Sequence, residues 1–175
     1  RQTKASQVAD SFLGSQTVLV LQMEVPLTEN WALIRRAKAK GARILLNVAP
    51  AAPIPTDVLP LVDWLIVNEN EARQIATSLG KTLQDARAAA KFIAGASKTT
   101  VIVTLGAAGA AAYLKDGGDL SVGALKIQPI DTVGAGDSFV GGFAAALDRG
   151  KTLAEALRYA SVGGALACLH PGAQP

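Results

Sequence analysis

Apolar residues in this chain follow two rhythms that take turns along it. Short β-rich, mostly apolar runs at 17–22, 43–48, 63–67 and 100–104 predict buried strands. Between them, apolar residues recur every three or four positions, which predicts helices. One helix is expected over 28–40, with Thr28 as cap, Trp31, Ile34 and Ala37 along its inner face and Gly41 just past its end. A second opens at 68–72. A third spans 82–94, with Thr82 and Asp85 as a capping box, Leu83, Ala86, Ala90 and Ile93 as its apolar stripe and Gly95 closing it. A β-like run at 110–114 follows 100–104 directly, and Asp116-Gly117-Gly118-Asp119 reads as a tight turn. Helices over 139–147 and 153–167 complete the pattern. The last is introduced by Thr152 and Glu155 as a capping box, and Ala160, Gly163, Gly164 and Ala167 form a small-residue face for close packing. Residues 1–16 are polar and weakly patterned, with room for one short helix. Alternation of strand and helix predicts an α/β fold, a mainly parallel sheet flanked by helices.

Composition narrows the function. Half of the 175 residues are hydrophobic and 18% are charged, which suits a single globular α/β domain over 1–175 with its own core. The net charge is +3 and the basic residues are scattered, so nothing points to nucleic acid. Cys168 is the only cysteine, which rules out an internal disulfide and suits a cytoplasmic protein. No apolar run reaches the roughly 18 residues a membrane span needs, and no signal peptide is visible. There is no Walker A sequence, no Cys/His metal spacing and no internal repeat. The chain begins at Arg1 and stops on Pro171-Gly172-Ala173-Gln174-Pro175, so both ends read as truncated.

The chemistry concentrates at Asp131-Thr132-Val133-Gly134-Ala135-Gly136-Asp137-Ser138-Phe139. Two glycines around one alanine allow a tight turn and close approach of a ligand. A helix follows, and its first N–H groups lack internal partners and carry partial positive charge. A glycine-rich turn feeding them suits a phosphoryl group. Asp137 would sit beside that group as a base that accepts a proton from an attacking hydroxyl. The competing reading is plain: Asp137 caps the helix and the glycines only make the turn.

The nonapeptide closely resembles the C-terminal signature of the ribokinase-like (PfkB) carbohydrate kinases. That resemblance implies a phosphate anion hole at Gly134, Ala135 and Gly136, with Asp137 as catalytic base and sugar contact. Other segments resemble the same family. Leu21-Gln22-Met23-Glu24-Val25-Pro26-Leu27 matches a stretch whose glutamate approaches the sugar, which makes Glu24 a substrate residue. Asn47-Val48-Ala49-Pro50-Ala51 matches an Asn-Pro-Ala-Pro-Ala element, with Val48 in place of its first proline. Asn68 and Glu71 match an Asn-x-x-Glu motif. The resemblance places Asn68 near nucleotide and Glu71 near Mg²⁺ through water, although acidic residues also suit any first helical turn. Thr104, Gly106 and Gly109 match a Thr-x-Gly-x-x-Gly stretch that lies along the nucleotide; from spacing alone, the glycines could equally make a hairpin turn. Near the end, Asp131, Val133, Ala167 and Gly172 are the matching positions for a monovalent cation, K⁺, beside the anion hole.

The resemblance therefore implies a Rossmann-type three-layer fold lacking the family's N-terminal strands and sugar-covering lid. The expected activity is ATP-dependent phosphorylation of a sugar hydroxyl, foremost D-ribose to ribose 5-phosphate, with ATP, Mg²⁺ and K⁺ as cofactors. The expected partners are small molecules, not nucleic acid or membrane, and a homodimer is expected only for the complete enzyme with its lid. The alternatives are a catalytically incomplete nucleotide-binding fragment, or a family member acting on fructose, 2-keto-3-deoxygluconate or a nucleoside.

Overall fold

The computed structural model describes residues 3–173. Its strands are β1 (Val18–Leu21), β2 (Arg43–Asn47), β3 (Trp64–Asn68), β4 (Thr100–Thr104), β5 (Ala110–Tyr113) and β6 (Asp119–Val122). Its helices are α1 (Leu27–Ala39), α2 (Glu69–Ser78), α3 (Ala86–Ser97), α4 (Ala135–Asp148) and α5 (Leu153–Ala167). The six strands form one sheet in sequence order. β1, β2 and β3 pair in parallel, with Leu21 opposite Leu46 and Asn47 opposite Ile66. β4 starts at the same end, because Thr100 N–H donates to the Asp63 carbonyl at 3.3 Å. The links from β4 to β5 and from β5 to β6 are too short for a parallel crossover, so these strands return antiparallel. The result is the expected mainly parallel α/β sheet, with one departure. Alternation of strand and helix stops after β4, where two hairpin-linked strands follow one another.

Several boundaries differ from expectation, each for a local reason. Among the described residues up to 16 there is no α-helix; 3₁₀ turns lie at Ala5–Gln7 and Asp10–Phe12. β1 is not fully buried: it stands at the sheet edge, and Val20 keeps 43% of its surface exposed. α1 starts at Leu27 behind Pro26, whose fixed φ suits a helix start, so Thr28 is not its cap. α3 starts four residues later than expected. Asp85 itself is the cap, accepting from the Arg87 amide at 2.8 Å, and Thr82 lies outside. Gly95 stays inside α3, which ends instead at left-handed Lys98. β6 has no counterpart in the sequence reading. Its four residues are too few for their alternation to stand out beside the glycine turn.

Three helix ends share one device. After α1, α2 and α4 a glycine with positive φ (Gly41, Gly80, Gly150) lets the chain fold back on the last turn. At α1 this is the pair Gly41 N–H to Lys38 O and Ala42 N–H to Ala37 O, at 2.9 and 3.0 Å.

The chain divides into two compact units. One comprises the residues up to Val103 together with Ala112–Asp119; the other comprises Thr104–Ala111 and the chain from Leu120 on. In the first unit β2, β3 and β4 supply fully buried aliphatics such as Leu45, Leu65 and Ile102. Asp63 pins the strand starts, accepting from Lys38 Nζ and from the Ile44 amide at 2.7 Å each. In the second unit α4 and α5 lie side by side with Phe143 and Leu157 buried between them and their surroundings. The small-residue face of α5 does what its composition predicts. A Cβ added to Gly163 or Gly164 would stand 3.1 Å from Ser138 O or 3.0 Å from Ala135 O. Among the described residues, no helix is long and apolar enough to cross a membrane.

Candidate active site

In the second unit the site is built on the start of α4. Gly134 is the N-cap residue, at φ +77°, and Ala135 and Gly136 are already helical. The expected turn over 134–136 with a helix from 139 is therefore corrected: the helix begins at Ala135, and Asp137 is the third residue of its first turn. The physical reason is that Gly134 alone makes the left-handed bend, so its neighbours are free to enter the helix. Ser138 N–H donates to Gly134 O at 2.9 Å and Ala135 N–H to Thr132 O at 3.3 Å. The amides of Gly136 and Asp137 meet no acceptor among the described residues, as expected of a helix start. The Asp137 side chain is exposed. An anion placed there would find two free N–H donors, the positive end of the helix and a carboxylate in the same turn.

The loop that delivers this turn is tied down by backbone groups. Ile130 and Asp131 amides both donate to Cys168 O, at 2.8 and 3.3 Å. Asp131 Oδ1 accepts from the Val133 amide at 3.0 Å and Oδ2 from the Gly172 amide at 2.9 Å. The Gly172 amide first, then that of Val133, holds the Asp131 carboxyl below its ordinary value. Gly134 packs so closely on Ala173 that an added Cβ would stand 2.9 Å from the Ala173 carbonyl oxygen.

A second turn in this unit follows β4. Gly106–Ala108 form a 3₁₀ turn closed by Leu105 N–H to Gly109 O at 2.8 Å. Gly106 is exposed, while Gly109 is buried at φ +90°, ψ −133°. An open cavity of about 350 Å³ on the same unit is lined by Ser138, Gly163, Leu166, Ala167, Leu169 and His170. Of the residues expected to bind a ligand, only Ala167 is among them.

In the first unit the carboxyl ends of β1, β2 and β3 lie side by side, where open α/β sheets place ligands. Glu24 follows β1, the 49–53 turn follows β2 and Asn68 ends β3. Glu24 is exposed, and its carboxylate accepts from Gln22 Nε2 at 3.2 Å. The Gln22 carbonyl is in turn held by buried Asn30 at 2.7 Å. Asn68 and Glu71 form a reciprocal capping box on α2. Asn68 Oδ1 accepts from the Glu71 amide at 2.9 Å, and Glu71 Oε2 accepts from the Asn68 amide at 2.7 Å. Burial pushes the Glu71 carboxyl above its ordinary value, and the Asn68 amide only partly offsets this.

With this geometry in place, comparison with known proteins is decisive. The model of the pfkB family of carbohydrate kinases matches residues 2–175. The chain belongs to the pfkB family. Ribokinase from Haemophilus influenzae is 34% identical over 166 residues, covering 95% of this chain and 54% of that protein. The crystal structure of ribokinase from Thermotoga maritima superposes with a TM-score of 0.88 at 27% identity, covering 98% of this chain and 56% of that one. The structure of Arabidopsis thaliana ribokinase complexed with ribose and ATP gives a TM-score of 0.79 at 29% identity, covering 89% of this chain and 51% of that one. The chain thus spans about half the length of the curated relatives it matches.

Within this pfkB chain the structure gathers the expected residues into local groups. Gly134, Ala135, Gly136 and Asp137 form one turn, Asp131, Val133 and Gly172 one hydrogen-bonded knot, and Asn68 and Glu71 one cap. Ala167 lies next to Cys168, whose carbonyl anchors the loop. That role of Cys168 is invisible in the sequence, because any residue's carbonyl can accept two amides. Gln174 and Pro175 of the expected C-terminal motif lie outside the described residues.

Proposed function

We propose that the protein transfers the γ-phosphoryl group of ATP to a sugar hydroxyl, D-ribose giving ribose 5-phosphate. The exposed carboxylate of Asp137, in the same turn as the unpartnered amides of Gly136 and Asp137, carries this reading. Asp137 takes the proton from the primary hydroxyl of the sugar, whose oxygen attacks the γ-phosphorus as its bond to ADP breaks and ADP leaves. The amides, presented by the left-handed bend at Gly134, stabilise the charge on the migrating phosphoryl oxygens. Glu24 contacts the sugar, and Asn68 and the Thr104, Gly106 and Gly109 turn serve the nucleotide.

Magnesium fits Glu71 in a limited way. Oε2 is used by the cap, and a hydrated Mg²⁺ asks for little beyond the remaining oxygen. Its chemistry would be to neutralise phosphate charge. A monovalent cation fits the carboxylate of Asp131 and the carbonyls of Val133, Ala167 and Gly172, because each Asp131 oxygen keeps a lone pair beyond its one N–H bond. Its contribution would be to hold the loop before α4.

The test is ribose-dependent ADP formation by the wild type and by Asp137→Asn. Loss of a general base lowers turnover by about a hundredfold or more; near-normal turnover of Asp137→Asn overturns the assignment. A second reading is a nucleotide-binding module without catalysis. Calorimetric titration with Mg-ATP separates the two, since heat of binding without ADP formation supports the module. Ribose is preferred over fructose, 2-keto-3-deoxygluconate or a nucleoside because ribokinases from Schizosaccharomyces pombe and Haemophilus influenzae match at 31% and 34% identity, and a panel of these four acceptors decides.

A further inference from the structure

Gly109 is buried, so its conformation and surroundings are more informative than its place in a glycine motif. Its φ of +90° and ψ of −133° lie where residues with a Cβ are strained. A Cβ added there would stand 2.0 Å from Val122 O and 2.8 Å from both Ala124 N and Gly123 C. All three are backbone atoms and cannot swing aside. Gly106, three residues earlier, has open space around it. The two glycines of the motif therefore do different work: Gly106 faces outward, and Gly109 is the floor on which the 122–124 backbone rests. That backbone is also held elsewhere, because Ser161 on α5 donates its hydroxyl to Gly123 O at 3.2 Å.

We propose that Gly109 and Ser161 are positioning residues that clamp the 122–124 segment, and through it fix the 104–109 turn relative to α5 for nucleotide binding. Gly109 acts by allowing close approach of the 122–124 backbone. The Leu105 to Gly109 hydrogen bond passes the constraint directly to the turn that carries Gly106. The proposal rests on the nucleotide reading of that turn given above.

The experiment is calorimetric titration with Mg-ATP, paired with the kinetic split between KM for ATP and kcat. Gly109→Ala displaces backbone by the order of an ångström and is expected to weaken Mg-ATP binding roughly thirtyfold. Gly117→Ala, at φ +91° with nothing near its Cβ, is the control for backbone strain alone and is expected to bind within about twofold of wild type. Should Gly109→Ala not fold, Ser161 carries the test. Ser161→Ala loses one hydrogen bond and is expected to weaken Mg-ATP about threefold, raising KM for ATP at constant kcat, while Ser161→Thr restores it. Wild-type affinity in Gly109→Ala, or equal effects of Ala and Thr at 161, overturns the clamp. Mg-ATP binding without sugar phosphorylation sinks the kinase reading and leaves the clamp standing on the titrations. No Mg-ATP binding by the wild type overturns both.

Discussion

Glu71 gives the sharpest separation of a structural from a chemical role. The residue is 9% exposed, and its Oε2 accepts from the Asn68 amide at 2.7 Å. Glu71→Ala deletes that acceptor and leaves the amide at the helix entry unpaired. Such a loss costs about 1–2 kcal/mol, or roughly 2–8 °C in melting temperature for a chain of this size. Glu71→Gln keeps a carbonyl oxygen for the same amide, since glutamine also closes a capping box. It removes the charge whose burial pushes the carboxyl up. Between the ordinary value of 4.5 and the raised one, the native state holds more protons than the unfolded chain. Stability due to Glu71 is therefore fully present below 4.5 and is lost as pH rises through the raised value. Glu71→Gln lacks this dependence, so it should gain on the wild type as pH rises from 4 to 7. Thermal melts of wild type, Glu71→Gln and Glu71→Ala at those two pH values check it. On the proposed metal role, Mg²⁺-dependent turnover should fall in Gln as well as in Ala, because Gln puts an NH2 group where the oxygen left for the metal stood. Equal destabilisation by Gln and Ala, or a wild type that gains on Gln with rising pH, would refute the reasoning.

Further outcomes follow from other contacts. Asp131 is held below its ordinary 3.8 by the Gly172 and Val133 amides, so its contribution is present at neutral pH and is lost as pH falls below 3.8 through the lowered value. Asp131→Ala should speed hydrogen exchange at Gly172 at pH 7, whereas unchanged protection would mean that the bond does not hold the loop. Gly142→Ala brings a Cβ to 3.2 Å from Tyr159 O and should destabilise by about 1–2 kcal/mol. Gly141→Ala, one residue away with nothing within 4 Å, should stabilise by up to about 1 kcal/mol, because alanine is the better helix former. Denaturant midpoints of the two variants should move in opposite directions.

Much of the fold was legible because its signals are local. The aliphatic runs that became β2, β3 and β4 need no partner to be recognised, since only burial on both faces explains them. Thr152 and Glu155 announced α5, because a capping box is closed within four residues. The glycines and Asp137 pointed to the start of α4 by chemistry that belongs to any helix end. Boundaries were less legible where two local signals competed, as when Pro26 displaced Thr28 and Asp85 displaced Thr82.

Other features depend on groups far apart in the chain, and the sequence does not encode their distances. The Asp131–Gly172 bond joins residues 41 positions apart. The raised Glu71 carboxyl comes from what packs over it, and Gly109 has no room for a side chain because of Val122, thirteen residues on. Short-range rules therefore named the parts and the kinase family, whereas packing decided which glycine touches backbone, which carboxyl is desolvated and which carbonyl anchors the loop before α4. Conformational preference is a property of a few neighbouring residues; burial and close approach are properties of the whole folded chain.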